Sequence, residues 1–160
     1  MVVSKYGPSE AEFLDPLLAL QLSPGQFVFA GGSEANNKLE FGYDEVPNTH
    51  RGTIAVKASN IVLTEVGDVD IFGGVPTGAI GWGSAISGCY NHRSKYTATT
   101  IETIKTGRRK FQATDDALKL IEVTKAKFGN VRVVAVDDAT TDGGTTEAYS
   151  EYLESLAWTL

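Results

Sequence analysis

The sequence predicts a mixed α/β domain, β-rich over its first two thirds and closed by a helix, a strand and a helix packed on a mixed sheet. Three observations carry this. Val131-Arg132-Val133-Val134-Ala135-Val136 runs without a turn residue, as a strand covered on both faces does. Residues 114–128 and 146–160 on either side of it have helical periodicity. Upstream, short runs rich in Val, Ile and Thr are broken by Gly and Pro, the punctuation of strands and turns.

At 160 residues and 42% hydrophobic content, the chain is long enough to bury one sizeable core without disulfides or metal. A single cysteine, Cys89, rules out an internal disulfide framework. No run approaches the roughly 18 apolar residues of a membrane span, so no membrane partner is expected. The net charge of −6 argues against direct nucleic-acid binding by bulk attraction.

In chain order, residues 1–8 read as an N-terminal arm closed by Gly7-Pro8, and residues 9–160 as a single α/β domain. Ser9 could cap a helix bearing Phe13, Leu14, Leu17 and Leu18, which Pro16 shortens or kinks. Pro24-Gly25 marks a turn before a strand at 26–30, and a polar excursion at 31–51 holds one short strand at 38–43. Residues 52–57 and 60–66 are β-branched and short, so both read as strands. Gly73-Gly74 after Ile71-Phe72 reads as a turn. Six glycines between 73 and 88 argue against a long helix there, since each interior glycine costs about 1 kcal/mol relative to alanine. Residues 96–104 are threonine-rich and β-prone, and Lys105 to Lys110 form a basic turn.

The helix from Thr114 has a capping residue, acids Asp115 and Asp116 in its first turn, and Gly129-Asn130 as its stop. Ala117, Ile121 and Phe128 share its apolar face, flanked by Leu118 and Leu120. In the last helix Tyr149, Tyr152, Leu153, Leu156 and Leu160 form an apolar stripe opposite Glu147, Glu151 and Glu154. The chain stops where such a unit would return to the sheet. That predicts a fold completed by a neighbour, or a chain that is the front part of something longer.

Candidate chemistry is sparse. Gly78-Ala79-Ile80-Gly81-Trp82-Gly83-Ser84 invites a phosphate-cradle reading but fits neither the dinucleotide fingerprint nor the P-loop, and a structural glycine turn is the better reading. Ser84 and Ser87 lack the flanking glycines of a nucleophile elbow. Cys89 and His92 could meet, yet His50 is the only other histidine, too few partners for a zinc site. Asp137 and Asp138 follow the apolar strand directly, where open α/β sheets place ligands, and with Asp142 they could hold magnesium. A helix-entry loop explains the same residues. No catalytic residue, metal ligand or cofactor is therefore assigned.

Arg108, Arg109 and Lys110, with Lys105, form a basic cluster that complements the Glu147, Glu151 and Glu154 stripe of an identical subunit. Such head-to-tail pairing generates rings or helical filaments.

Pro24-Gly25-Gln26-Phe27-Val28, Gly52-Thr53-Ile54-Ala55-Val56, the Ile71-Phe72-Gly73-Gly74 turn and the helix–strand–helix from Ala117 to Leu156 together resemble the tail sheath proteins of contractile phages. The resemblance implies a virion structural subunit, not an enzyme, that polymerises as a helical sleeve around a tail tube. Its partners would be copies of itself and a tube protein. Arms such as Val2, Val3 and Tyr6 would add strands to neighbouring sheets. The rival reading is a small metal-dependent α/β enzyme using Asp137 and Asp138.

Overall fold

The computed structural model describes residues 22–28, 34–138 and 143–159. The chain divides into two compact units, Met1–Phe41 and Gly42–Leu160. In the first, β1 (Leu22–Val28) pairs antiparallel with β2 (Glu34–Leu39), with Leu22 opposite Leu39 and Val28 opposite Glu34. Pro24-Gly25 lies inside β1, where the register slips between Pro24 and Phe27, and not in a turn ahead of it. The expected arm with Val2, Val3 and Tyr6, and the helix expected after Ser9, lie outside the described residues.

The second unit is an α/β layer structure, as expected. Its sheet is parallel, ordered β4 (Thr99–Ile101), β3 (Ile71–Gly74), β7 (Val133–Val136). Side chains alternate across a strand, so β3 presents Phe72 to one face and Gly73 to the other. Phe72 packs edge-on against Tyr90, ring centroids 5.3 Å apart. Gly73 lies under the Tyr149 hydroxyl and Leu153. All four residues of β3 are buried. The strand covered on both faces is thus β3. The Val133–Val136 run, read as that strand, is half-buried throughout and lies at the end of the strand order among the described residues.

Two segments depart from the sequence reading. Residues 52–57 and 60–66 belong to α1 (Asn48–Ile61) and the π-helical turn Val62–Val66 that continues it. Propensity loses to packing here. Ala55 and Ser59, four residues apart, are the buried positions of α1, and their small side chains form the stripe it can lay against a neighbouring helix. Gly67, at φ 83°, ends the turn.

The second departure is α2 (Ile80–Arg93), a 14-residue helix where the glycines argued for a loop. Trp82, Ile86 and Tyr90, with Gly83 and Ser87, form its buried face. Its glycines permit contact rather than freedom. A Cβ on Gly83 would stand 2.9 Å from the Gly74 amide nitrogen, and one on Gly74 would run into the carbonyl group of Ala79. Gly73 and Gly74 are thereby strand residues across which the chain folds back, not a turn. Helix–sheet contact at backbone distance outweighs the propensity penalty of roughly 1 kcal/mol per glycine.

From β4 the chain forms the antiparallel hairpin β5 (Thr103–Gly107) and β6 (Lys110–Ala113). Next comes α3 (Asp115–Phe128), whose Ala117 amide donates to the Thr114 hydroxyl at 3.2 Å, a side-chain cap. Its buried stripe is Ala117, Ile121 and Thr124, while Phe128 and Leu120 are 43% and 40% exposed. Thr124 can take a buried place because its hydroxyl donates to the Leu120 carbonyl at 2.7 Å. The last helix, α4 (Gly144–Thr159), buries Tyr149, Leu153 and Ala157 and leaves Glu147, Glu151 and Glu154 exposed. Leu160 lies outside the described residues. No helix among the described residues is long and apolar enough to cross a membrane.

Candidate functional site

Two strand ends meet at one edge of the parallel sheet. The Val75 amide donates to the Val136 carbonyl at 2.8 Å, keeping β3 and β7 side by side to their last residues. Beyond β3 the chain runs through Val75-Pro76-Thr77-Gly78 into α2, and the Pro76–Thr77 peptide is cis. Beyond β7 it runs through Asp137-Asp138 toward α4. The two loops touch where the Asp138 carboxylate lies against the Cα of Gly78, in the space a Cβ would fill. This is the crevice outside the carboxyl ends of parallel strands in which open α/β sheets bind ligands.

Asp137 is held in place. One carboxylate oxygen accepts the Asp138 amide at 3.0 Å, and the other accepts the hydroxyl of Thr146 in the first turn of α4. The acid pair is thereby tied to a helix start of sequence Gly143-Gly144-Thr145-Thr146. The amide groups of such a start attract anions.

The basic hairpin reaches the same place. Arg109, at the tip between β5 and β6, lays its guanidinium against the Cα of Gly144. The base of the hairpin is fastened further along α4. Thr103 and Tyr149 share a hydrogen bond of 2.9 Å between their hydroxyls, and the Ala113 amide donates to the Tyr152 hydroxyl at 2.6 Å. The Phe111 ring packs on both tyrosines, at centroid distances of 4.9 and 6.0 Å. Burial, reinforced by the nearby Tyr152, pushes the Tyr149 phenol up to about 12 although its hydrogen bond to Thr103 acts the other way. Tyr149 is therefore a neutral phenol at physiological pH, a strut and not an acid–base group.

On the other side of the glycine loop, the Tyr43 amide donates to the Gly78 carbonyl at 3.0 Å. The Tyr43 ring presses on Gly81, meets Trp82 edge-on at 5.1 Å and is capped by Arg51, whose guanidinium carbon lies 4.6 Å from the ring centroid. This cluster buttresses the start of α2.

The structure thus joins Asp137, Asp138, Gly78 and Arg109, which the sequence had offered as separate features. Asp142 lies outside the described residues. Ser84 and Ser87 sit within α2, where no strained elbow exposes a hydroxyl. Cys89 and His92 also lie on α2, and His50 on α1. No three His, Cys, Asp or Glu side chains gather as a metal site among the described residues. The missed feature is the α4 start, which the helix-entry-loop reading covers without assigning it a ligand, although an acid pair closing a strand and a Gly-Thr run opening a helix are together a readable signal for an anion site.

No family model and no curated protein matches the sequence. Solved structures do match. The orotate phosphoribosyltransferase of Francisella tularensis superposes with a TM-score of 0.56 and 17% identity over 93% of this chain and 65% of that one. The UMP synthase of Leishmania donovani gives a TM-score of 0.63 and 20% identity over 94% of this chain and 29% of that one. The orotate phosphoribosyltransferase of Mycobacterium tuberculosis, solved with Fe(III) dicitrate, gives 0.50 and 15% over 91% of both chains. This chain spans less than two thirds of the length of the first two. At these identities the likeness is one of fold.

The likeness overturns the tail-sheath reading. All three matched structures are enzymes, and the segments that carried the resemblance fold otherwise: Gly52 to Val56 is helical, and Gly73-Gly74 is strand. With the resemblance go the virion structural role, the virion location, sister copies and a tube protein as partners, and the expectation that the chain is not an enzyme. The rival reading, a small metal-dependent α/β enzyme using Asp137 and Asp138, shares the α/β fold of these structures.

Proposed function

We propose that this chain transfers a phosphoribosyl group from a 5-phosphoribosyl 1-diphosphate donor to a nitrogen of a planar heterocyclic acid, orotate being the first candidate because two matched structures act on it by name. The observation that carries the reading is the acid pair held between a glycine loop and a helix start: Asp138 against Gly78, Asp137 tied to Thr146. Each part suits one part of the donor. The amide groups opening α4 suit the monophosphate. The carboxylates of Asp137 and Asp138 suit the ribose hydroxyls, as acceptors of their hydrogens. At Gly78 the absent side chain admits the Asp138 carboxylate, which brings that acid against the loop we assign to the diphosphate.

In transfer, the acceptor nitrogen bonds to the ribose C1 as the bond to diphosphate breaks, its N–H proton passes to the departing diphosphate, and positive charge develops on the sugar ring. Carboxylates fixed beside the ring stabilise that charge. Asp137 enters the reaction already oriented by Thr146, so little reorganisation is needed. A magnesium ion carried by the diphosphate supplies charge neutralisation and needs only one or two protein carboxylates; Asp137 and Asp138 fit that demand, whereas the described residues build no all-protein cage.

The test is diphosphate release from the donor with magnesium and orotate, with donor binding followed by thermal shift. Saturating donor should raise the melting temperature, as any ligand of the native state does. Asp137→Asn and Asp138→Asn should each lower turnover by about a hundredfold. A wild-type protein that neither binds the donor nor releases diphosphate with any planar heterocyclic acid overturns the proposal.

A further inference from the structure

We propose that Tyr43 is a positioning residue for the loop from Val75 to Gly78, holding it in the form that receives the diphosphate end of the donor; this rests on the phosphoribosyl-transfer reading above. Residues 42–45 form a turn in which the Gly42 carbonyl accepts the Glu45 amide at 3.0 Å and the Glu45 carboxylate accepts the Gly42 amide at 2.7 Å. The second residue of such a turn keeps its own amide outside the turn's hydrogen bond. Here that amide belongs to Tyr43, and it donates to the Gly78 carbonyl at 3.0 Å.

Gly78 is thus held from two sides, by the Asp138 carboxylate in the place of its missing side chain and by Tyr43 at its carbonyl. A carbonyl oxygen carries partial negative charge, so a loop peptide turned to present one to a diphosphate repels that ligand. With its oxygen bonded to Tyr43, the Gly78 peptide is not free to turn. The ring fixes where the amide lies. It rests on Gly81, where any Cβ would strike it, meets Trp82 edge-on, and is capped by Arg51, whose Nε donates to the Val46 carbonyl at 2.8 Å. Trp82 is buried at 2% exposure, so the turn is anchored on the core at the start of the helix into which the loop runs. The sheet does not need this contact, because β3 and β7 pair along their whole length without it. What the contact fixes is the loop beyond the strand end.

Calorimetric titration of the full chain with inorganic diphosphate and magnesium, and separately with ribose 5-phosphate, tests the assignment. Tyr43→Ala removes the ring, and Tyr43→Pro removes the amide donor as well, at a turn position that proline favours. Both should weaken diphosphate binding, by about tenfold for alanine and more for proline, while ribose 5-phosphate binding stays within about twofold of wild type. In turnover, both should raise KM for the donor more than they lower kcat. Tyr43→Phe, which keeps ring and amide, should restore the diphosphate affinity. Unchanged diphosphate binding in Tyr43→Pro overturns the inference, and so does an equal loss for ribose 5-phosphate, which marks a general loosening of the fold. If wild type binds neither ligand, the phosphoribosyl-transfer reading falls and this inference with it. If wild type turns over the donor and both variants keep its KM, only the role of Tyr43 falls.

Discussion

Two strand–loop–helix units lie side by side in this protein and do opposite work. β3–α2 offers Gly74 at the strand end and Gly78 in the loop, and no charge; in β7–α4 the loop offers Asp137, Asp138 and a Gly-Thr helix start. The first unit makes room, and in the transfer we propose the second would supply the chemistry. Their packing differs accordingly. β3 is buried on both faces and α2 lies on it at backbone distance, whereas β7 is half-buried and α4 reaches the sheet through the larger Tyr149 and Leu153. A crevice at the sheet edge needs both kinds of unit: a tight one that can approach a ligand closely and an open one that can grip it.

The contrast predicts different failures in the two units. The largest effect is expected at Gly74→Ala, where the new methyl meets the backbone of Ala79 and Ile80 and no flexible side chain can give way. Overpacking of this kind should cost about 3 kcal/mol or more, read as a lowered denaturation midpoint; a wild-type midpoint would show that α2 does not rest on β3 as described. Next is Gly78→Ala, where the methyl meets a carboxylate that can swing aside. Turnover should fall by about tenfold to a hundredfold while the melting temperature stays near wild type, and the reverse outcome would move Gly78 from the site to the core.

In the open unit the effects are smaller and concern the strut. Tyr149→Phe removes the hydrogen bond to Thr103 and should cost about 1 kcal/mol. The raised phenol also gives a pH signature. Below about 10 the phenol is protonated in both folded and unfolded chains, so its contribution to stability is fully present. As pH rises from there toward about 12, the unfolded phenol ionises first and stability is lost. Tyr149→Phe should flatten that alkaline decline, and an unaltered decline would assign it to another group. Smallest is Thr114→Ala, which deletes the cap of α3 for a loss of about 1 kcal/mol or less and should leave turnover unchanged.

The same contrast explains what could be read from the chain. The β7–α4 half was legible because its information lies in side chains: β-branched residues along the strand, a stripe of Tyr149 and Leu153 on the helix, Thr114 as a cap before α3. The β3–α2 half was not, because its information lies in side chains that are missing. A glycine admits a neighbouring backbone, and the identity of the neighbour is nowhere in the local sequence. Residues 52–66 failed for a related reason. Thr53, Ile54, Val56, Val62 and Val66 have strand propensity, yet the small residues Ala55 and Ser59 decide that this segment buries a narrow stripe as a helix.

From its own residues the chain determined the α/β class, the helical ends around β7 and the acid pair at that strand's end, since hydrophobic periodicity, capping and charge act over a few neighbouring positions. Only the tertiary structure decided that Gly78 stands under Asp138, that Thr146 orients Asp137 and that Arg109 crosses from a hairpin to the start of α4. These are contacts between residues as much as 60 positions apart, Gly78 and Asp138. The first follows from the parallel pairing of β3 with β7, which brings the two loops to the same edge of the sheet, and the last from the fastening of the hairpin to α4 through Tyr149 and Tyr152.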